Sequence, residues 1–101
     1  MAAYIIVNVH IGDAARYEHY KDGAAKAVHA FGGRYLARGG DTRILEGSPD
    51  IARLVILEFP SRADALAWWE SKEYAPFRDI RYAAARSEMV LVEGVAAPQV
   101  R

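Results

Sequence analysis

The segment from Phe31 to Gly47 constrains the fold more than any other stretch, because it must end one element, carry a second and turn, and it contains two glycine pairs. Glycine reaches positive φ without a Cβ penalty, so Gly32-Gly33 reads as a helix stop. Gly39-Gly40 falls inside residues that otherwise read as one strand, Arg34 to Glu46, which predicts a bulge or a close backbone approach there. Gly47-Ser48-Pro49-Asp50 has the composition of a hairpin turn.

The flanking patterns supply the elements around it. Ala3 to Ile11 is dense in β-branched residues and has the length of a strand buried on both faces. Asp13 is a good N-cap, and Tyr17, Tyr20, Ala24, Ala27, Val28 and Phe31 recur at helical spacing up to the glycine stop. Arg16, Glu18, Lys21, Asp22 and Lys26 are left for solvent. Arg53 to Phe59 reads as a third strand, and Ser61 with Asp64 as a capping-box-like start to a helix carrying Ala63, Leu66, Ala67, Trp68 and Trp69. Proline is tolerated in a first helical turn, so Pro76 predicts a further helical piece from about Tyr74 through Phe77, Ile80, Arg81 and Ala84. Ser87 to Val95 is the last strand. Residues 96–101, with Pro98, read as a flexible tail beyond a single domain of residues 1–95.

The order is βαββαβ, the ferredoxin-like α+β plan, with a four-stranded antiparallel-type sheet in the order 4-1-3-2. Right-handed crossovers put strands one and three side by side at the centre, and those two are expected to run parallel. Two helices cover one sheet face, yet strands one, three and four are apolar on both: Ile5, Val7 and Val9 alternate with Tyr4 and Ile6, and Val55 and Leu57 with Leu54 and Ile56. The uncovered face is therefore expected to pack on a second copy, giving a homodimer through the sheet face.

Charge narrows the function classes. Thirteen basic residues balance thirteen acidic ones without a long block of either sign, which disfavours nucleic acid and anionic membranes as partners. With no cysteine there is no disulfide, thiolate ligand or cysteine nucleophile. The apolar residues 1–9 follow no basic region and are too few to span a membrane, so a cytoplasmic location is expected.

Gly-Gly-Arg-Tyr-Leu-Ala-Arg-Gly-Gly at 32–40, Leu45-Glu46-Gly47, Glu58-Phe59-Pro60-Ser61, Ala67-Trp68-Trp69 and Glu93-Gly94 together resemble the family called domain of unknown function 1330, over about Tyr4 to Gly94. The resemblance implies a dimeric α+β barrel, an architecture shared by small monooxygenases, muconolactone-isomerase-like enzymes, stress-responsive proteins and some haem proteins. It implies no settled activity, since fold alone does not specify chemistry.

With strands one and three parallel, Asn8 and His10 would approach Glu58, with Arg38 and Glu88 close by. His10 would then be the acid or base, because an imidazole ordinarily titrates near neutrality, and Glu58 would orient a partner or abstract a proton. Asn8, Arg38, Trp69 and Arg81 are candidate substrate-binding residues, Arg38 for a carboxylate or enolate. The same residues fit a structural role: a Glu58–Arg38 salt bridge, a histidine at a strand end, an Arg81 that snorkels to solvent, and one core tryptophan beside one on a groove. His19 and His29 lie ten residues apart on different helix faces, so no metal site is expected, and no cofactor is invoked. Two functions remain in view: a cofactor-independent small-molecule enzyme of oxygenase or isomerase type, and a non-catalytic dimeric ligand-binding or stress-associated module.

Overall fold

The computed structural model describes residues 1–96; the tail read at 96–101, apart from Ala96, lies outside the described residues. The elements are β1 (Ala3–Ile11), α1 (Ala14–Ala30), β2 (Arg34–Arg38), β3 (Arg53–Phe59), α2 (Arg62–Trp69), α3 (Ala75–Ala84) and β4 (Ala85–Glu93). They form one sheet in the order β2-β3-β1-β4. This is the expected βαββαβ plan read from the other edge.

Local chemistry sets the boundaries. Asp13 caps α1 by accepting from the Arg16 amide at 3.0 Å. The helix closes when the amides of Gly32 and Gly33 return to the carbonyls of His29 and Val28, with Gly32 at φ 81° where a Cβ would be strained. Ser61 Oγ accepts from the Asp64 amide at 3.1 Å to start α2, and Pro76 sits in the first turn of α3. Ser71 spans the break between these helices, donating to the Trp68 carbonyl at 2.8 Å and accepting from the Tyr74 amide at 3.1 Å.

Four expectations are corrected. The central strands β1 and β3 are antiparallel, with Ala3 opposite Phe59 and Val9 opposite Arg53. The crossover through α1 makes β1 and β2 co-directional, and the chain then reverses into β3, so a β3 lying between them must oppose both. Strand β2 ends at Arg38 rather than Glu46, and residues 39–52 run as an exposed loop that includes the predicted turn. Its irregularity falls at Leu36, where the pairing shifts between Tyr35 and Ala37, not at Gly39-Gly40. Strand β4 begins and ends two residues earlier than Ser87 to Val95, since the chain leaves α3 directly in extended geometry at Ala85.

The core lies between the helices and the inner sheet face. Ile5, Val7, Val9, Val55, Leu57 and Phe59 point into it, as their alternation predicts, and Tyr17, Ala24, Ala27 and Val28 of α1 meet them. Trp68 is the tryptophan in the core, with its ring 5.4 Å from Phe59 and 4.3 Å from Tyr74, the spacing of aromatic pairs that add to burial. Tyr4, Ile6, Asn8 and His10 face the other way, with Leu54, Ile56 and Glu58 of β3 beside them. Among the described residues, no helix is long and apolar enough to cross a membrane.

Candidate functional site

Residues opposite one another across a sheet share a face, so the register sorts the inner face into rows. Leu57, Ile5 and Leu91 form one, with Tyr35 at its end; Val55, Val7 and Met89 form the next, with Arg38 at its end; Arg53, Val9 and Ser87 form the last. The inner face is apolar near Phe59 and basic near Arg53. A pocket at the basic end is enclosed by Tyr35, Leu57, Arg38, Val55, Val7, Met89, Arg53 and Val9 of these rows and by Tyr17, Tyr20, Lys21 and Val28 of α1, Trp68 of α2 and Arg81 of α3, with a free volume of about 20 Å³.

Arg38 reaches the pocket because of the bulge. Simple alternation from the inward Tyr35 would turn Arg38 to the outer face. The unpaired Leu36 adds one residue, so Ala37 lies opposite the outward Ile56 and Arg38 opposite the inward Val55. Its guanidinium then stacks 4.5 Å from the Tyr35 ring centroid and donates to the Lys21 carbonyl at 3.2 Å. Lys21, read as a solvent residue, is half-buried at this mouth and paired with Glu18 at 3.2 Å.

Arg81 does not snorkel. It is 3% exposed, donates through Nε to the Tyr74 hydroxyl at 3.4 Å and through Nη1 to Ser87 Oγ. The hydroxyls of Tyr74 and Tyr20 are 2.8 Å apart, so a phenol pair links this guanidinium to the pocket wall. Burial works against the charge of Arg81, but the phenols of Tyr74, Tyr20 and Tyr82 outweigh it and hold the pKa above its ordinary value. Burial, then the neighbouring Tyr74, push the Tyr20 phenol far above the usual range, so it stays protonated. The phenols of Tyr17 and Tyr35 are also raised by burial, against the pull of Arg53 and Arg38 respectively.

Arg53 carries no distinguishing signal in the sequence, because the first residue of a strand is so often a polar boundary. Its guanidinium lies 5.9 Å from the Tyr17 ring centroid and occupies the space that a Cβ on Gly39 would need. Gly39, at φ 69°, donates its amide to the Leu54 carbonyl at 2.7 Å and leaves that space open. Among the described residues, Arg53 Nε and Trp68 Nε1 are the buried side-chain nitrogens without a hydrogen-bond partner. Both residues line this pocket.

The structure brings Arg38 and Arg81 to the pocket and leaves the other candidates elsewhere. Glu58 is opposite Tyr4, six residues along β1 from His10, or about 20 Å at the ~3.3 Å rise of a strand. Antiparallel pairing is the reason, and it also makes Arg34, not Arg38, the partner of Glu58, at 2.6 Å. Asn8 and His10 instead hold the far end of the 39–52 loop on the outer face: Asn8 donates to the Asp50 carbonyl at 2.7 Å and accepts from the Ala52 amide at 2.9 Å, and His10 Nε2 is 3.7 Å from Asp50 Oδ2. Glu88 is opposite Asn8, and Arg86 opposite His10. Trp69 is half-buried beneath the Arg78 guanidinium, 5.0 Å away, and lines a separate apolar groove with Leu66 and Met89. No group of three or more His, Cys, Asp or Glu suited to a metal ion occurs among the described residues.

A four-stranded antiparallel sheet with helices on one face and a basic, tyrosine-walled pocket between them defines a small ferredoxin-like α+β protein. The chain belongs to the family described as Domain of unknown function (DUF1330), whose model matches residues 2–95. No curated protein matches it. Among solved structures, a protein of unknown function from Rhodopseudomonas palustris is similar at a TM-score of 0.74 and 19% identity, over 93% of this chain and 82% of that one. SnoaB, a cofactor-independent oxygenase from Streptomyces nogalater, is similar at 0.65 and 14% identity, over 97% and 98% of the two chains. A dimeric ferredoxin-like protein of unknown function from Jannaschia sp. CCS1 is similar at 0.64 and 14% identity, over 93% and 100%. At these identities the likeness is one of fold.

Proposed function

We propose that this protein is a dimeric small-molecule enzyme of the cofactor-independent oxygenase or isomerase type, working in the pocket between the sheet and the helices. The observation that carries this reading is Arg81, a buried cation satisfied by Tyr74 and Ser87 rather than by a carboxylate. A guanidinium has five N–H donors, so Arg81 keeps donors for a ligand oxygen. The protonated Tyr20 phenol beside it is a second donor. Together they suit an enolate or phenolate oxygen, because prearranged donors act strongly where water is excluded. Arg38 closes the same pocket from β2.

A second reading, a ligand-binding module without catalysis, is favoured by one feature: among the described residues, the pocket lining has no histidine or carboxylate to act as a base near neutral pH. Thermal-shift measurements against a metabolite panel test the pocket, since a ligand of the native state raises the midpoint by mass action. The shift is expected to vanish in Arg81→Met. Oxygen uptake or isomerisation of the compound so found separates the two readings, and a ligand that binds without turnover selects the module.

The dimer is supported by the outer sheet face, where Ile6, Leu36, Val90 and Val92 are 36%, 48%, 57% and 47% exposed. Light scattering is expected to give twice the monomer mass, and a monomer would end this part of the reading.

A further inference from the structure

Resting on the pocket reading above, we propose that the ligand is a small planar carboxylic acid bound as its anion, with Arg53 holding the carboxylate, the Trp68 indole donating to an acceptor on the same molecule and Arg38 closing over the entrance. Among the described residues, the lining carries Lys21, Arg38, Arg53 and Arg81 but no aspartate or glutamate. Glu18 offsets Lys21, whereas none of the three arginines has a carboxylate within ion-pair distance among the described residues. Three guanidinium groups without a carboxylate partner around one pocket favour an anion.

The unpartnered atoms fix the polarity of that anion further. Arg53 Nε and Trp68 Nε1 are both donors, and a buried donor without an acceptor costs about 1–3 kcal/mol. A ligand that presents acceptors satisfies them, whereas one that brings further donors does not. The planar fork of a guanidinium matches a carboxylate, and the rings of Tyr17, Tyr20, Tyr35 and Trp68 give flat walls for a conjugated body.

Entry is explained by Arg38. The free volume of about 20 Å³ holds little more than a water molecule, so a side chain must move. Arg38 is exposed and tied down by one hydrogen bond to the Lys21 carbonyl and by the Tyr35 ring. It exchanges that hydrogen bond for one to the bound acid.

The test is an NMR titration of the full chain with benzoate, using benzamide and phenol as uncharged probes at constant salt. Two tryptophans give two indole N–H signals, which Trp69→Phe assigns. Benzoate is expected to move the Trp68 signal saturably, at least tenfold more tightly than benzamide, and to bind at least tenfold more weakly to Arg53→Gln, with Arg53→Lys in between. Should Arg53→Gln fail to fold, the benzoate and benzamide arms on the unchanged chain decide. Benzamide binding as tightly as benzoate, or benzoate moving Trp69 alone, overturns the acid. Phenol moving Trp68 while benzoate does not overturns the acid and keeps the pocket. No response of Trp68 to any probe overturns both.

Discussion

The phenol oxygens of Tyr20 and Tyr74 lie 2.8 Å apart and tie the middle of α1 to the residue that precedes α3. Arg81 donates to the same Tyr74 oxygen, so one contact joins helix packing to the pocket. Tyr20→Phe is expected to lower the unfolding free energy by about 1 kcal/mol, the usual net worth of such a bond, as read from urea denaturation. It should also weaken any ligand that raises the native midpoint, because the phenol is a donor to it.

Alkaline pH should destabilise this fold through the same ring. The Tyr20 pKa is raised in the folded chain, first by burial and then by Tyr74, whereas in the unfolded chain it lies near 10. The folded state thus holds the phenolic proton more tightly. Its contribution is fully present below about pH 10 and is lost as pH rises from there towards the folded pKa. Urea midpoints measured from neutral to strongly alkaline pH should fall above that point, and less steeply in Tyr20→Phe; equal slopes would remove Tyr20 as the cause.

Gly39→Ala should cost about 1–2 kcal/mol from its positive φ alone. The new methyl would also meet the Arg53 guanidinium and push it from its place by Tyr17. Gly40→Ala is the control, since nothing lies near a Cβ at that position. Chemical denaturation of both variants, with the Tyr17 ring signals followed by NMR, reads the two effects.

On the outer face, Arg34→Ala breaks the contact with Glu58, but Arg34 is 69% exposed, so unfolding should change by no more than about 1 kcal/mol. Val90→Lys, on the apolar part of that face, should instead give a monomer mass by light scattering where the unchanged chain, on the proposed reading, gives twice that mass. Retention of the full dimer mass would place the interface elsewhere.

Much of the architecture was legible because the periodicity was strong. The inward set Ile5, Val7, Val9, Val55, Leu57 and Phe59 follows from alternation, and the α1 stripe from helical spacing. Strand adjacency alone does not give the direction of β3, and its antiparallel register separates His10 from Glu58. Arg81 could not be placed by its apolar neighbours alone, since its burial depends on Tyr74 and Ser87, which come from outside its helix. Arg53 and Trp68 give no local signal of what they lack. Only their shared pocket makes their unpartnered nitrogens informative.

Leu36 has a consequence for how residues are matched between relatives. A bulge of one residue reverses the facing of everything that follows it on the strand, so a relative that keeps all five residues but pairs its Leu36 equivalent regularly would carry its equivalent of Arg38 on the opposite surface. Two chains with the same Arg-Tyr-Leu-Ala-Arg letters could then differ in whether a cation guards the pocket. Transfer of a role along β2 therefore has to be counted in hydrogen-bonded partners, not in alignment columns.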